Sequence, residues 1–90
     1  MKQIELEVID AVGLHARPAA GFVKIAKRFT ADIKIRNLTR ESEFVNAKSL
    51  AKVVKIAVSQ HQKVIITAAG DDEGAALEAL EEYLSNTTKR

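Results

Sequence analysis

One of the chain's two histidines, His15, stands in the string GLHARPA, with an arginine two positions on and a proline three positions on. Pro18 suits the first turn of a helix, where its missing N–H is not needed, and Gly13 permits a turn angle that strains other residues. His15 is therefore expected at or beside a helix N-cap. The free N–H groups of Ala16, Arg17 and the following turn would point out of that helix end, which carries about half a positive charge and readily binds an anion. Phosphate is the obvious candidate, and the planar fork of Arg17 can grip phosphoryl oxygens.

In such a field the imidazole is biased towards its neutral form, because the helix end and Arg17 both disfavour an imidazolium. A neutral ring nitrogen can attack phosphorus. Once phosphorylated, the ring would carry about two negative charges facing the same donors, so the setting that activates the nucleophile also stabilises the product. A histidine ahead of a helix is also commonly a cap or a surface residue, and local physics permits the chemistry without requiring it.

The remaining composition narrows the field. There is no cysteine, which excludes disulfides and thiolate metal sites and is typical of a reducing compartment. The N-terminus, MKQIELEVID, alternates apolar and charged residues, and no run approaches the roughly 18 apolar residues of a membrane span. A cytoplasmic protein with no membrane insertion is the expectation. A net charge of +2 and 4% aromatic residues do not mark a nucleic-acid binder. Basic residues nevertheless gather early, at Arg17, Lys24, Lys27, Lys52 and Lys55 among others, while Asp71, Asp72, Glu73 and Glu78 open a late acidic stretch. A basic face could meet acidic partners. His61, in SQHQK, reads as a turn residue, since histidine tolerates a left-handed backbone, and a metal site shared with His15 lacks any supporting carboxylate or cysteine motif.

The elements that must position these residues follow from periodicity. QIELEV puts Ile4, Leu6 and Val8 on one side of a strand with a wet opposite face. From Pro18 to Phe29, Ala19, Phe22, Val23, Ala26 and Phe29 recur at helical spacing, with Lys24 and Lys27 opposite. ADIKIR alternates through Ala31, Ile33 and Ile35, and FVN offers a short hairpin partner in which the faces of Phe44 and Val45 stay open. Ser49 to Ala57 forms a short helix with Leu50, Val53, Val54 and Ala57 on its apolar stripe, and KVIITA is a central strand. After a turn at Gly70, Asp71 or Asp72 caps a last helix with a Leu77, Leu80 and Leu84 stripe, and SNTTKR is expected to fray. The order β-α-β-β-α-β-α, with strands charged on one face, implies one α+β domain over residues 1–90 in two layers: a four-stranded antiparallel sheet covered on one face by three helices.

GLHARPA, VNAKS and AAGDDEGAALEALEEYL together resemble the HPr family, the histidine-containing phosphocarriers of the phosphoenolpyruvate-dependent sugar phosphotransferase system. The resemblance covers nearly the whole chain and implies an open-faced β-sandwich. It implies that His15 takes a phosphoryl group on Nδ1 from phosphorylated enzyme I and passes it to enzyme IIA proteins, with Arg17 and the amides of Ala16 and Arg17 holding the phosphate. Lys24, Lys27 and Lys52 would lie on the partner-facing side. Ser49 matches the serine that a dedicated HPr kinase modifies in some lineages, although a serine there is also simply a good N-cap. Leu50 would border an apolar contact patch or, on the plainer reading, belong to the core. The protein would then be a substrate of enzymes and not an enzyme itself, with no cofactor or metal and a monomeric state expected. A nitrogen-branch or regulatory paralogue and, more remotely, a small RNA-binding domain are the alternatives. RNLTRESEF exceeds the family's usual hairpin connection by a few residues, which costs little.

Overall fold

The computed structural model describes residues 1–8, 16–56, 58–59 and 61–88; the side chains of residues 16, 17 and 85–88 lie outside the description. The elements are β1 (Lys2–Glu7), α1 (Ala16–Ala26), β2 (Asp32–Asn37), β3 (Val45–Asn46), α2 (Leu50–Lys55), β4 (Lys63–Ala69) and α3 (Glu73–Thr88). The sheet order is β1-β4-β2-β3, antiparallel throughout. KVIITA is indeed central, and the short FVN run supplies the edge strand β3, with Phe44 exposed and Val45 packed against the core.

Alternation explains the two layers. Ile33 and Ile35 on β2 and Val64, Ile66 and Ala68 on β4 are fully buried beneath Phe22 of α1, Val53 of α2 and Leu80 of α3. The alternate residues form the open face, where the register aligns Glu5, Ile65 and Arg36 in one row. Burying these aliphatic side chains is the main stabilising term, since each is worth about 1.5–3 kcal/mol relative to exposure.

Four expectations are revised. Helix α1 ends at Ala26, before Phe29, because Arg28 and Phe29 donate to the carbonyls of Ile25 and Ala26 in a tighter closing turn. The apolar stripe of α2 is split: Val53 is buried, whereas Leu50 is 43% and Val54 36% exposed. A helix of six residues presents only about a turn and a half, too little for four positions to face one core. Asp72 sits where the cap of α3 was expected, but its carboxylate reaches across to accept from the Thr30 and Ala31 N–H groups, each at 2.8 Å. Finally, the backbone of residues 85–88 continues α3 instead of fraying. Ala57, the last stripe position proposed for α2, lies outside the described residues.

Beside the β2–β3 loop, where Glu41 has φ 53°, two further turns carry unusual backbone. Gly70 has φ 152°, and a Cβ there would meet Ala31 Cα at 2.8 Å, so both angle and space call for glycine. His61 has φ 69°, the left-handed turn expected of it. Its N–H donates to Val8 O, and its Nδ1 lies 3.1 Å from Glu7 Oε2.

Candidate functional site

His15 and Gly13 lie outside the described residues, as does the side chain of Arg17. What the structure does describe is the platform that follows them. Helix α1 starts at Ala16, so His15 immediately precedes its first turn, and the leading amides of an α-helix have no intrahelical acceptor. Pro18 stands at the third helical position.

That turn is fastened from two sides. Phe22 is wholly buried in the core. On another side, Tyr83 of α3 donates its hydroxyl to Pro18 O at 2.8 Å, and its ring lies against Gly21, where no side chain intervenes. The carbonyl of Pro18 and the close approach at Gly21 thus let α3 brace the helix start behind the histidine. Sequence reasoning missed this pairing; the clue was a lone tyrosine on a helix otherwise lined with leucine and alanine.

The second candidate residue, Ser49, is the N-cap of α2, with extended backbone at φ −111° and ψ 112°. Its Oγ accepts from Lys52 N at 3.4 Å, a long bond that holds the hydroxyl only weakly. The approach to it is firm: Asn46 Oδ1 accepts from Lys48 N at 2.9 Å, and Asn46 O accepts from Ser49 N. Lys48 donates its ammonium to Phe29 O at 2.8 Å, tying the start of α2 to the end of α1, so this cation is structural.

Lys24, Lys27 and Lys52 are exposed, as partner-facing cations must be. Leu50 and Val54, one helical turn apart on α2, form an exposed apolar strip, which removes Leu50 from the core. Helices α1 and α2 pack against each other. The shifted carboxyls belong elsewhere: the Thr30 N–H beside Asp72 and the Gly70 N–H beside Glu73 hold both below the usual carboxylate range. Among the described residues no group of three or more His, Cys, Asp or Glu side chains could hold a metal, and no helix is long and apolar enough to cross a membrane.

A family model described as the PTS HPr component phosphorylation site matches residues 2–86. The chain belongs to the HPr family. The HPr-like protein Crh of Bacillus subtilis is 44% identical over 84 residues, covering 93% of this chain and 95% of the relative. The multiphosphoryl transfer protein of Haemophilus influenzae is 47% identical over 74 residues, which is 82% of this chain but 15% of that protein. The chain thus spans less than a fifth of the length of that protein and of its Vibrio cholerae counterpart, where the share is 17%. A crystal structure of HPr from Thermoanaerobacter tengcongensis superposes with a TM-score of 0.92 at 37% identity, covering 100% of this chain and 98% of the other. The open-faced sheet under three helices is therefore the HPr fold.

Proposed function

We propose that this HPr-family chain is a stoichiometric phosphoryl carrier working in the cytoplasm, with His15 as the acceptor. The reading rests above all on one observation: α1 begins at Ala16, directly after the histidine of GLHARPA. In this reading the Nδ1 lone pair of His15 attacks phosphorus and forms a P–N bond as the bond to the leaving group of phosphorylated enzyme I breaks. The amides of Ala16 and Arg17 and the guanidinium of Arg17 take the phosphoryl charge. The reverse displacement, with an enzyme IIA as acceptor, returns the imidazole. Transfer of this kind depends on positioning and charge stabilisation more than on covalent chemistry by the carrier, which suits an exposed site without a pocket.

Docking falls to the face that carries Lys24, Lys27 and Lys52, with Leu50 as its apolar contact; enzyme I and enzyme IIA would present acidic surfaces around an apolar one. Phosphorylation of Ser49 is the regulatory part of the proposal. Its weakly held hydroxyl supports it. A phosphate there would be tolerated by the N-terminus of α2 yet oppose acidic partners.

Incubation with enzyme I and phosphoenolpyruvate tests the core of the reading. The expected product carries an acid-labile, base-stable phosphoryl group that disappears in His15→Ala. An unmodified wild-type chain under conditions that phosphorylate a reference HPr refutes it.

A further inference from the structure

The long connection between β2 and β3 is not used by the transfer proposed above, yet it builds one wall of a shallow groove. Arg40, Ser42 and Glu43 line the groove from that loop, with Val45 from β3 at its base. Opposite stand Lys52 and Lys55 of α2, with Ile56 closing the helix. Three cations thus confront one carboxylate above two aliphatic side chains.

The two walls are bolted together by one fully buried residue, Asn37. Its Oδ1 accepts from Arg40 N at 3.2 Å on the loop side, and its Nδ2 donates to Ile56 O at 3.0 Å on the helix side. The same Nδ2 donates to Gln62 Oε1. Asn37 and Ser42 also exchange bonds: Ser42 Oγ accepts from Asn37 N, and Asn37 O accepts from Ser42 N. Arg36 Nε donates to Ser42 O, and Thr39 Oγ1 accepts from Lys63 N, so the loop is held along its length. Glu41 adopts φ 53° within it. A surface loop pinned this thoroughly holds the backbone of Arg40 in place beside α2, and a preorganised scaffold loses less entropy on binding.

We propose that this groove is a binding site for a small phosphate ester. A phosphate monoester carries up to two negative charges near neutral pH, which Arg40 can meet with a planar fork and Lys52 and Lys55 with point charges. Val45 and Ile56 provide an apolar base for its carbon skeleton. The site is distinct from the amides that follow His15 and does not depend on that residue being phosphorylated. Because it is open to water, affinity is expected on the order of 1 mM, for exposed ion pairs contribute little individually.

The test is a titration of the 15N-labelled chain with phenyl phosphate and with inorganic phosphate, against chloride at equal ionic strength, followed by amide shifts. Saturable shifts are expected at residues 40–43 and 52–56, tighter for phenyl phosphate than for inorganic phosphate. Arg40→Gln and Lys55→Gln, both at exposed positions, should fold normally by circular dichroism and weaken binding about tenfold together, from the loss of two charge-assisted contacts. Lys34→Gln, on the open sheet face, should leave it unchanged. Shifts that stay linear in concentration, or that saturate at the wild-type concentration in the Arg40→Gln and Lys55→Gln double variant, overturn the proposal.

Discussion

Gly21→Ala sets two well-defined effects against each other. In an exposed helix interior, alanine is favoured over glycine by about 0.8–1 kcal/mol. At this position, however, a Cβ would lie 2.8 Å from Tyr83 Cζ and closer still to the hydroxyl. The ring must swing away, which breaks its 2.8 Å bond to Pro18 O and disturbs the packing of α3 on α1. Overpacking costs about 1–3 kcal/mol and a lost hydrogen bond about 0.5–1.5 kcal/mol. With mid-range values the penalty is about 3 kcal/mol and the gain about 1, so the variant should be destabilised by about 2 kcal/mol. For a domain of this size the melting temperature should fall by roughly 8–16 °C. Tyr83→Phe, which keeps the ring and removes only the hydroxyl, should cost about 1 kcal/mol. In a Tyr83→Ala background the obstacle is gone, and Gly21→Ala should reverse sign and stabilise by up to about 1 kcal/mol. Urea unfolding of the four chains closes the cycle. A Gly21→Ala protein as stable as the wild type, or a sign that does not reverse, refutes the claim that Tyr83 braces the start of α1.

Three other perturbations separate structural from functional roles. Asp72 has its carboxyl held low by the Thr30 and Ala31 N–H groups, so it contributes stability above the pKa it has when unfolded, and that contribution is lost as pH falls through its folded value. The wild type should therefore lose its advantage over Asp72→Asn below about pH 4 in urea midpoints measured against pH; curves that stay parallel would contradict this. Ser49→Asp keeps a capping acceptor and places a negative charge at a helix N-terminus, so thermal stability should hold while transfer from enzyme I slows; Ser49→Ala should lose about 0.5 kcal/mol, given the long bond to Lys52 N, and transfer normally. A normal rate for Ser49→Asp would leave Ser49 a cap alone. Lys24→Glu with Lys27→Glu should slow transfer without altering the circular dichroism spectrum, and unchanged kinetics would remove those lysines from the docking face.

The layers of the fold were legible in the sequence because each rests on a short-range period: Ile33 and Ile35 alternate with charged neighbours, and Phe22, Val23 and Ala26 repeat at helical spacing. The helix start after His15 was legible for a related reason, since Pro18 acts within a few residues and α1 begins at Ala16. What escaped were contacts between residues far apart in the chain. Asp72 looks like a cap for its own helix until Thr30 and Ala31, some forty positions earlier, claim its carboxylate. Asn37 falls on the inward phase of β2, where alternation predicts an aliphatic side chain. Only the folded chain shows why an amide stands there: the loop N–H of Arg40 and the carbonyl of Ile56 both end in the interior, and a buried backbone group without a partner costs about 1–3 kcal/mol. An aliphatic residue at 37 would satisfy the period and strand both groups, so the departure from pattern marks the point where the longer β2–β3 connection is anchored to α2.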